Sequence, residues 1–257
     1  MKKMKKSTIV LLALAAVLLI SSAVGSTRAA LIYYSEDYSA QVTVSNIGVS
    51  LLENDKVVSF RNYDSEGVWK KQQGELLTHI SDEKFTLGED YEEKLSVLNS
   101  GAIDSYVRVI VTRTWEKDGE IDRYLDPKLI QLGYVNSEKE FVDIRDMGEY
   151  NGWMVDEEAS TPERVVLYFK EVVPAGHHTA TFAETLSINP ILQTKVIETK
   201  TTVDGNTTIT YEYEYDGYKF NVEAEEDADQ THNAVESIKS AWGVDVTVDA
   251  NGVISLQ

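Results

Sequence analysis

The chain has 257 residues, a formal net charge of −19 and no cysteine. The lack of thiols excludes disulfides, thiolate zinc sites and cysteine nucleophiles. The acidity excludes nucleic acid as a partner, because the phosphates would be repelled. A chain of this length buries a core large enough to fold without disulfides.

Residues 1–29 are typical of a secretory signal peptide. Four lysines among the first six residues precede an uninterrupted apolar run from Ile9 to Ile20, and small residues follow. This run is shorter than the roughly 20 apolar residues that span a membrane. Three segments, 21–23, 23–25 and 27–29, each offer small residues for cleavage. We therefore expect an exported protein with no stable membrane span after cleavage. Removal of the five positive charges in this region leaves a net charge of −24.

The mature chain, residues 30–257, is predicted to form a single all-β domain. Apolar and polar residues alternate over Gln41–Leu52, with a bulge expected near Ile47. The clearest strand is Tyr106–Trp115, which places its valines and Trp115 on one face. Further strands are predicted at 164–173 and 179–188.

An irregular insertion is predicted at about 125–162. Asp126 followed by Pro127 is typical of the start of a short helix, and the remainder resembles loop. Such an insertion either carries a binding surface or covers a sheet edge, and we favour the second interpretation.

Two hairpin turns after residue 195 predict a three-stranded meander. Asp216-Gly217 is a two-residue turn signal that places Tyr213 opposite Phe220. A three-residue loop at 204–206 pairs Thr201 with Ile209 and continues the same apolar face. We interpret this aromatic face as core rather than as a carbohydrate-binding platform.

A helix is predicted at about 227–242, followed by a terminal β-hairpin. Apolar residues recur at spacings of three and four, Asp227 with Gln230 resembles a capping box, and Gly243 closes the helix. His232 on this helix is interpreted as structural. The predicted structural anchors of the whole fold are Trp115, Tyr213, Phe220 and Trp242.

The sequence contains no recognisable catalytic constellation. There is no HExxH pair, no GxSxG elbow and no phosphate-binding glycine loop among the 257 residues. The acidic clusters at 143–149 and 156–158 do not match a calcium loop. We predict no catalytic, cofactor-binding or metal-binding residues, no cofactor and no enzymatic activity.

Three stretches carry a resemblance to a known family. They are "GSTRA" at 25–29 with the following "YYSEDYSAQVTVSNIGVSL", "LSVLNSGAIDSYVRVIVTRTW" at 95–115, and "VVPAGHHTATFAETLSI" at 172–188. Together they resemble the TasA/camelysin-like family of Gram-positive exported proteins with SipW-type signal peptides. The ending "QTHNAVESIKSAWGVDV" at 230–246 is similar to clostridial-type members. Gly176-His177 replaces the glycine-glutamate turn common in the family.

The resemblance implies a jelly-roll-like β-sandwich, with a C-terminal helix and terminal hairpin, that a SipW-type signal peptidase processes. It also implies a secreted biofilm-matrix or cell-surface protein that self-associates into fibres. Camelysin is described as a metalloprotease, but no zinc-ligand motif of this chain matches, so that activity is only a distant alternative. A monomeric surface adhesin or ligand-binding module is the other alternative.

The predicted means of assembly is an N-terminal donor strand. The mature chain begins near Ala30 with four apolar residues, Leu31, Ile32, Tyr33 and Tyr34. An exposed sheet edge of one molecule is completed by a strand from the next, which produces an open filament. The alternative is that residues 30–40 form the first strand of their own sheet.

Overall fold

The computed structural model describes Leu14 and residues 46–63, 66–80, 86–203, 206–213 and 215–257. The predicted signal peptide and the arm residues Leu31, Ile32, Tyr33 and Tyr34 lie outside this part of the chain. Residues Val44–Gln257 form one compact unit. No helix in the described residues is both long and apolar enough to cross a membrane.

The described residues confirm an all-β, jelly-roll-like sandwich with a C-terminal helix and a terminal hairpin. The strands are β1 (Val49–Glu53), β2 (Lys56–Tyr63), β3 (Trp69–Gln72), β4 (Tyr91–Leu98), β5 (Ser105–Lys117), β6 (Glu120–Asp122), β7 (Ile130–Val135), β8 (Phe141–Asp143), β9 (Glu149–Tyr150), β10 (Trp153–Val155), β11 (Arg164–Phe169), β12 (Ala183–Ile188), β13 (Val196–Val203), β14 (Asn206–Tyr213), β15 (Tyr218–Gln230), β16 (Val246–Val248) and β17 (Ile254–Leu256). The α-helix α1 spans Ala234–Trp242, and 3-10 helices span Pro127–Leu129 and Pro190–Thr194.

Two antiparallel sheets form the sandwich. The seven-stranded sheet has the order β3-β2-β1-β4-β12-β7-β8. The six-stranded sheet has the order β15-β5-β11-β10-β9, and β6 pairs with the end of β5. The hairpins β13-β14 and β16-β17 are separate two-stranded sheets.

The main core lies between the inner faces of these two sheets. Val107, Val109 and Val111 of β5 are fully buried, and Trp115 is 4% exposed, so the predicted inner face of this strand is confirmed. Strands β1, β4, β7 and β12 supply the facing apolar residues. Each fully buried aliphatic side chain contributes roughly 1.5–3 kcal/mol.

A second apolar cluster covers the outer face of the six-stranded sheet. Helix α1 and the β16-β17 hairpin pack there against Tyr106, Met154, Val166 and Tyr168. This covering explains why β11 is buried on both of its faces. The predicted closure of the helix by Gly243 is confirmed, since Gly243 has φ 75° and its N–H donates to the Lys239 carbonyl.

The predicted start of the helix at 227 is wrong, because residues up to Gln230 belong to β15. The whole of β15 pairs with β5, from Tyr218 opposite Lys117 to Gln230 opposite Ser105. This long-range pairing overrides the helical spacing of 225–231. Asp227 binds Arg108 instead of capping a helix, and α1 begins after Asn233.

The predicted three-stranded meander is also wrong. Strand β14 pairs with β13, whereas β15 crosses to β5. Val203 lies opposite Asn206 and Thr201 opposite Thr208, so two residues rather than three separate the paired strands. Two-residue loops are the commonest connections of β-hairpins, which agrees with this register.

The region 125–162 is not an irregular insertion. It contributes β7 and β8 to the seven-stranded sheet and β9 and β10 to the six-stranded sheet. These strands have only two to six residues each, so they give a weak periodic signal, and their partners β11 and β12 lie far along the chain. The expected short helix is present as the 3-10 helix Pro127–Leu129, with the Asp126 side chain accepting from the Lys128 N–H.

Candidate functional site

A groove of about 1,410 Å³ lies between the two sheets. Strand β15 and the turn before it line one side, through Tyr215, Tyr218, Phe220 and Ala224. Strands β1 and β2 and the loop that follows β3 line the other side, through Leu51, Val58, Leu76, Leu77 and Ile80. Most of these side chains are apolar, so the groove offers an apolar surface that continues from the main core.

Aromatic rings concentrate at one end of this groove. Trp115 and Phe220 pack edge to face with centroids 6.2 Å apart, and Tyr215 and Tyr218 do so at 5.8 Å. The Trp115 indole N–H donates to the Asp126 carbonyl at 3.0 Å. This hydrogen bond satisfies the polar atom of the indole and fixes the ring in the groove wall.

Strand β15 borders the groove and is an end strand of its sheet. Among the described residues, no strand pairs with the second edge of β15 along 221–230. Beside the groove, β15 is joined to β2 of the other sheet by a hydrogen bond from Ser59 to Glu226 at 2.8 Å. Arg61 of β2 also pairs with Asp227 at 2.7 Å. The backbone edge of β15 therefore adjoins an apolar groove.

The predicted structural anchors fall in different places. Trp115 and Phe220 line the groove. Trp242 lies on the outer face of the six-stranded sheet, 5.5 Å from the ring of Tyr168 and 5.3 Å from the Arg108 guanidinium. Tyr213 lies opposite Val196 in the β13-β14 hairpin, and its side chain is outside the described part of the structure.

Two glutamates occupy inward-facing positions at the end of the sandwich where this groove lies. Glu53 follows Val49 and Leu51 on the inner face of β1, and Glu93 precedes Leu95 and Val97 on the inner face of β4. Because strand side chains alternate, both carboxylates point into the core. Glu53 is 5% exposed and Glu93 is fully buried.

His79 brings an imidazole to these carboxylates. Its Nδ1 is 3.7 Å from Glu53 Oε1, and its Nε2 is 3.5 Å from Glu93 Oε2. The loop that carries His79 is joined to β1, because the Leu77 N–H donates to Glu53 Oε1 at 2.6 Å. The same loop lines the groove through Leu76, Leu77 and Ile80. We call Glu53, His79 and Glu93 the acidic cluster.

The electrostatics of the acidic cluster are unfavourable for two ionised carboxylates. Burial raises the pKa of Glu93 to about 9, and the neighbouring Glu53 carboxylate adds to the effect. Among the described residues, neither carboxylate oxygen of Glu93 has a hydrogen bond of normal geometry, although its contact with the Glu53 side chain contributes to the raised pKa. Within the described residues, this is the one group of three whose donor atoms could hold a metal ion, with all donors within 4.8 Å of one another.

Sequence reasoning missed this cluster. Glu53 and Glu93 stand in the alternating positions that the neighbouring valines and leucines occupy, so the pattern did contain a signal. The position of His79 depends on how the loop after β3 folds back, which no local pattern encodes. His177 and His178 contact backbone carbonyls, those of Ala175 and Thr179 respectively.

Comparison with known proteins does not assign this architecture to a family. No protein-family model, curated protein or solved structure matches the chain. The function therefore has to be argued from the groove, the edge of β15 and the acidic cluster.

Proposed function

We propose that this chain is an exported structural subunit of an extracellular matrix or cell surface, and that its copies join by donor-strand addition. The N-terminal arm of one copy, with Leu31, Ile32, Tyr33 and Tyr34, occupies the groove of the next. Release from the membrane by a SipW-type signal peptidase frees that arm. The observation that carries the proposal is the apolar groove beside the edge of β15.

The groove and the strand edge suit an added strand better than a small ligand. A donor strand needs backbone donors and acceptors along one side and apolar contacts for alternate side chains. Residues 221–224 of β15, which both border the groove and have no strand paired to their second edge among the described residues, offer the first, and Leu51, Val58 and Leu76 offer the second. An apolar arm satisfies both requirements.

The length of the arm is compatible with reaching a second molecule. Sixteen residues separate the expected start of the mature chain at Ala30 from Asn46. Fully extended, sixteen residues span about 50 Å, at roughly 3.3 Å per residue. Head-to-tail insertion of identical arms gives an open filament rather than a closed ring unless the rotation closes.

Two truncated forms test this proposal, one starting at Ala30 and one at Gln41. We expect filaments from the first and soluble protein from the second, by sedimentation and electron microscopy. The form starting at Gln41 keeps the groove but lacks the arm. When it is added to the first form, it should therefore cap growing ends and shorten the filaments.

Two matched double substitutions in the arm distinguish the loss of apolar contacts from the addition of negative charge. Leu31→Asp with Ile32→Asp should abolish filaments. Ser35→Asp with Ser39→Asp adds the same two charges without removing an apolar side chain, and it should leave filaments intact.

Filaments from both truncated forms, or from neither at any salt concentration or pH, would show that the arm has no part in assembly.

The two alternatives have less support from the geometry. A surface adhesin using 125–162 needs an exposed excursion, but four strands of this region are built into the sandwich. Hydrolysis of casein that a chelator abolishes would overturn the non-enzymatic assignment and restore the metalloprotease alternative.

A further inference from the structure

We propose that the acidic cluster is a binding site for one divalent transition-metal cation, with Glu53, His79 and Glu93 as its protein ligands. The site goes beyond the proposed assembly function and does not depend on it. Two carboxylates and one imidazole are an oxygen and nitrogen donor set that suits Zn²⁺ or Mn²⁺.

The strongest observation is the unsatisfied Glu93 side chain. It is fully buried, and both of its oxygens lack a hydrogen-bond partner within the described residues. Buried carboxylates in proteins are normally paired, hydrogen-bonded or bound to a metal. The nearest basic side chain is that of His79, whose Nε2 is 3.5 Å from Glu93 Oε2.

The arrangement around His79 resembles that of a metal-ligating histidine. Its Nε2 is 3.0 Å from the Glu92 carbonyl oxygen. A carbonyl only accepts, so this shorter contact favours the ring proton on Nε2 and the lone pair on Nδ1, although the Asn54 amide nitrogen also lies 3.4 Å from Nε2. A backbone carbonyl that holds one ring nitrogen while the other binds a cation is the usual outer partner of such a ligand. Nδ1 is 3.7 Å from Glu53 Oε1.

The spacing of the donor atoms and the exposure of His79 to solvent are also compatible with a bound cation. Ligand distances of about 2.0–2.2 Å place neighbouring donors of a four-coordinate site roughly 3.3 Å apart, so small side-chain rotations close the site. The His79 side chain is 38% exposed, whereas the Glu53 and Glu93 side chains are 6% and 1% exposed. A cation therefore enters from the solvent side past His79, and water completes its coordination.

Calorimetric titration of the secreted protein with ZnCl₂, after chelator treatment, tests the site. We expect one Zn²⁺ per chain. His79→Ala and Glu93→Gln should each weaken binding by at least about tenfold, since each removes a ligand. Glu89→Gln is the matched control, because it removes one negative charge at an exposed position just before β4, and it should leave binding unchanged.

Calcium is the second probe. Ca²⁺ prefers six to eight oxygen ligands, so it should bind far more weakly than Zn²⁺. The absence of Zn²⁺ binding, equal losses of affinity in Glu89→Gln and Glu93→Gln, or equal affinity for Ca²⁺ would each overturn the assignment. His79→Ala alters a half-exposed loop residue, so the test stands even where Glu93→Gln disturbs folding.

Discussion

Arg113 and Glu93 are ionisable side chains buried in the same sandwich core, but the fold provides them with different numbers of hydrogen-bond partners. Arg113, on the inner face of β5, donates to Asp143 at 2.5 Å and to the carbonyls of Ile130 and Pro162 at 2.8 and 3.3 Å. Only its Nε lacks a partner. Glu93 lies beside a second carboxylate, and neither of its oxygens has a hydrogen-bond partner in the part of the chain that the structure describes.

This difference distinguishes Arg113, which stabilises the fold, from Glu93, which is a candidate ligand. The Arg113 guanidinium joins β5 to the end of β8 through Asp143, and to the chain around β7 and β11 through two carbonyls. Both of its terminal nitrogens are hydrogen-bonded within the fold, so it has little capacity for a ligand. Among the described residues, the Glu93 oxygens have no hydrogen-bond partner, and the closest basic group is the His79 imidazole at 3.5 Å. A bound cation would supply the partner that Glu93 lacks, and this is why we place the site there.

Loss of the Arg113–Asp143 ion pair should have the largest effect on the stability of the protein. Arg113→Met should destabilise the protein by about 3–5 kcal/mol, because removal of one partner leaves Asp143 uncompensated in a largely buried position. Urea denaturation measures the change. Arg145→Met is the matched control, since the Glu157 partner of Arg145 is 63% exposed, and it should cost at most about 1 kcal/mol. Equal losses of unfolding free energy in the two variants would show that burial does not determine how much the Arg113–Asp143 pair contributes to stability.

Substitution of the buried Glu93 carboxyl should change the free energy of unfolding in the opposite direction. In protein freed of metal, Glu93→Gln should raise the free energy of unfolding by about 1–3 kcal/mol, since it replaces a buried ionisable group that lacks a partner with a neutral one. Glu89→Gln should change it little. A destabilised Glu93→Gln protein would mean that the fold itself satisfies this carboxyl, which contradicts the comparison.

A smaller effect is expected at Glu226, a buried carboxyl that does have a partner. Burial raises the pKa of Glu226, and the Ser59 hydrogen bond opposes this rise. The stability of the wild-type protein should therefore fall as pH rises from the ordinary glutamate range through this raised pKa. Glu226→Gln keeps an acceptor for Ser59 and removes the ionisation, so it should be more stable at neutral pH.

The same advantage should vanish in acid, below the pKa of an unfolded glutamate, where the wild-type carboxyl is protonated in both states. Thermal unfolding of both proteins at several pH values measures this difference. An advantage of Glu226→Gln that is independent of pH would assign the effect to packing rather than to ionisation.

These two regions also show what the sequence encodes. The alternation in β5 predicted the buried valine face, and the same alternation places Arg113 on that face, although its partner Asp143 lies in a region expected to be irregular. The acidic stretch 225–229 was interpreted as a helix start because its helical spacing is local, whereas its pairing with β5 is not. Local periodicity predicts which way a side chain faces, and long-range pairing decides what it meets.

The same reasoning applies to the acidic cluster. The inward positions of Glu53 and Glu93 follow from residues two apart on β1 and β4. The contact between these strands places Glu53 opposite Leu95, and the loop after β3 then adds His79. Neither of these last two steps has a signal in the sequence.

The most direct test of the central claim is anomalous X-ray diffraction from crystals of the secreted protein grown with ZnCl₂, with data collected on both sides of the zinc absorption edge. We expect one strong anomalous peak, about 2.0–2.2 Å from donor atoms of Glu53, His79 and Glu93, that is lost in Glu93→Gln and kept in Glu89→Gln. An acidic cluster without such a peak, while zinc binds at other acidic side chains of the surface, would contradict it.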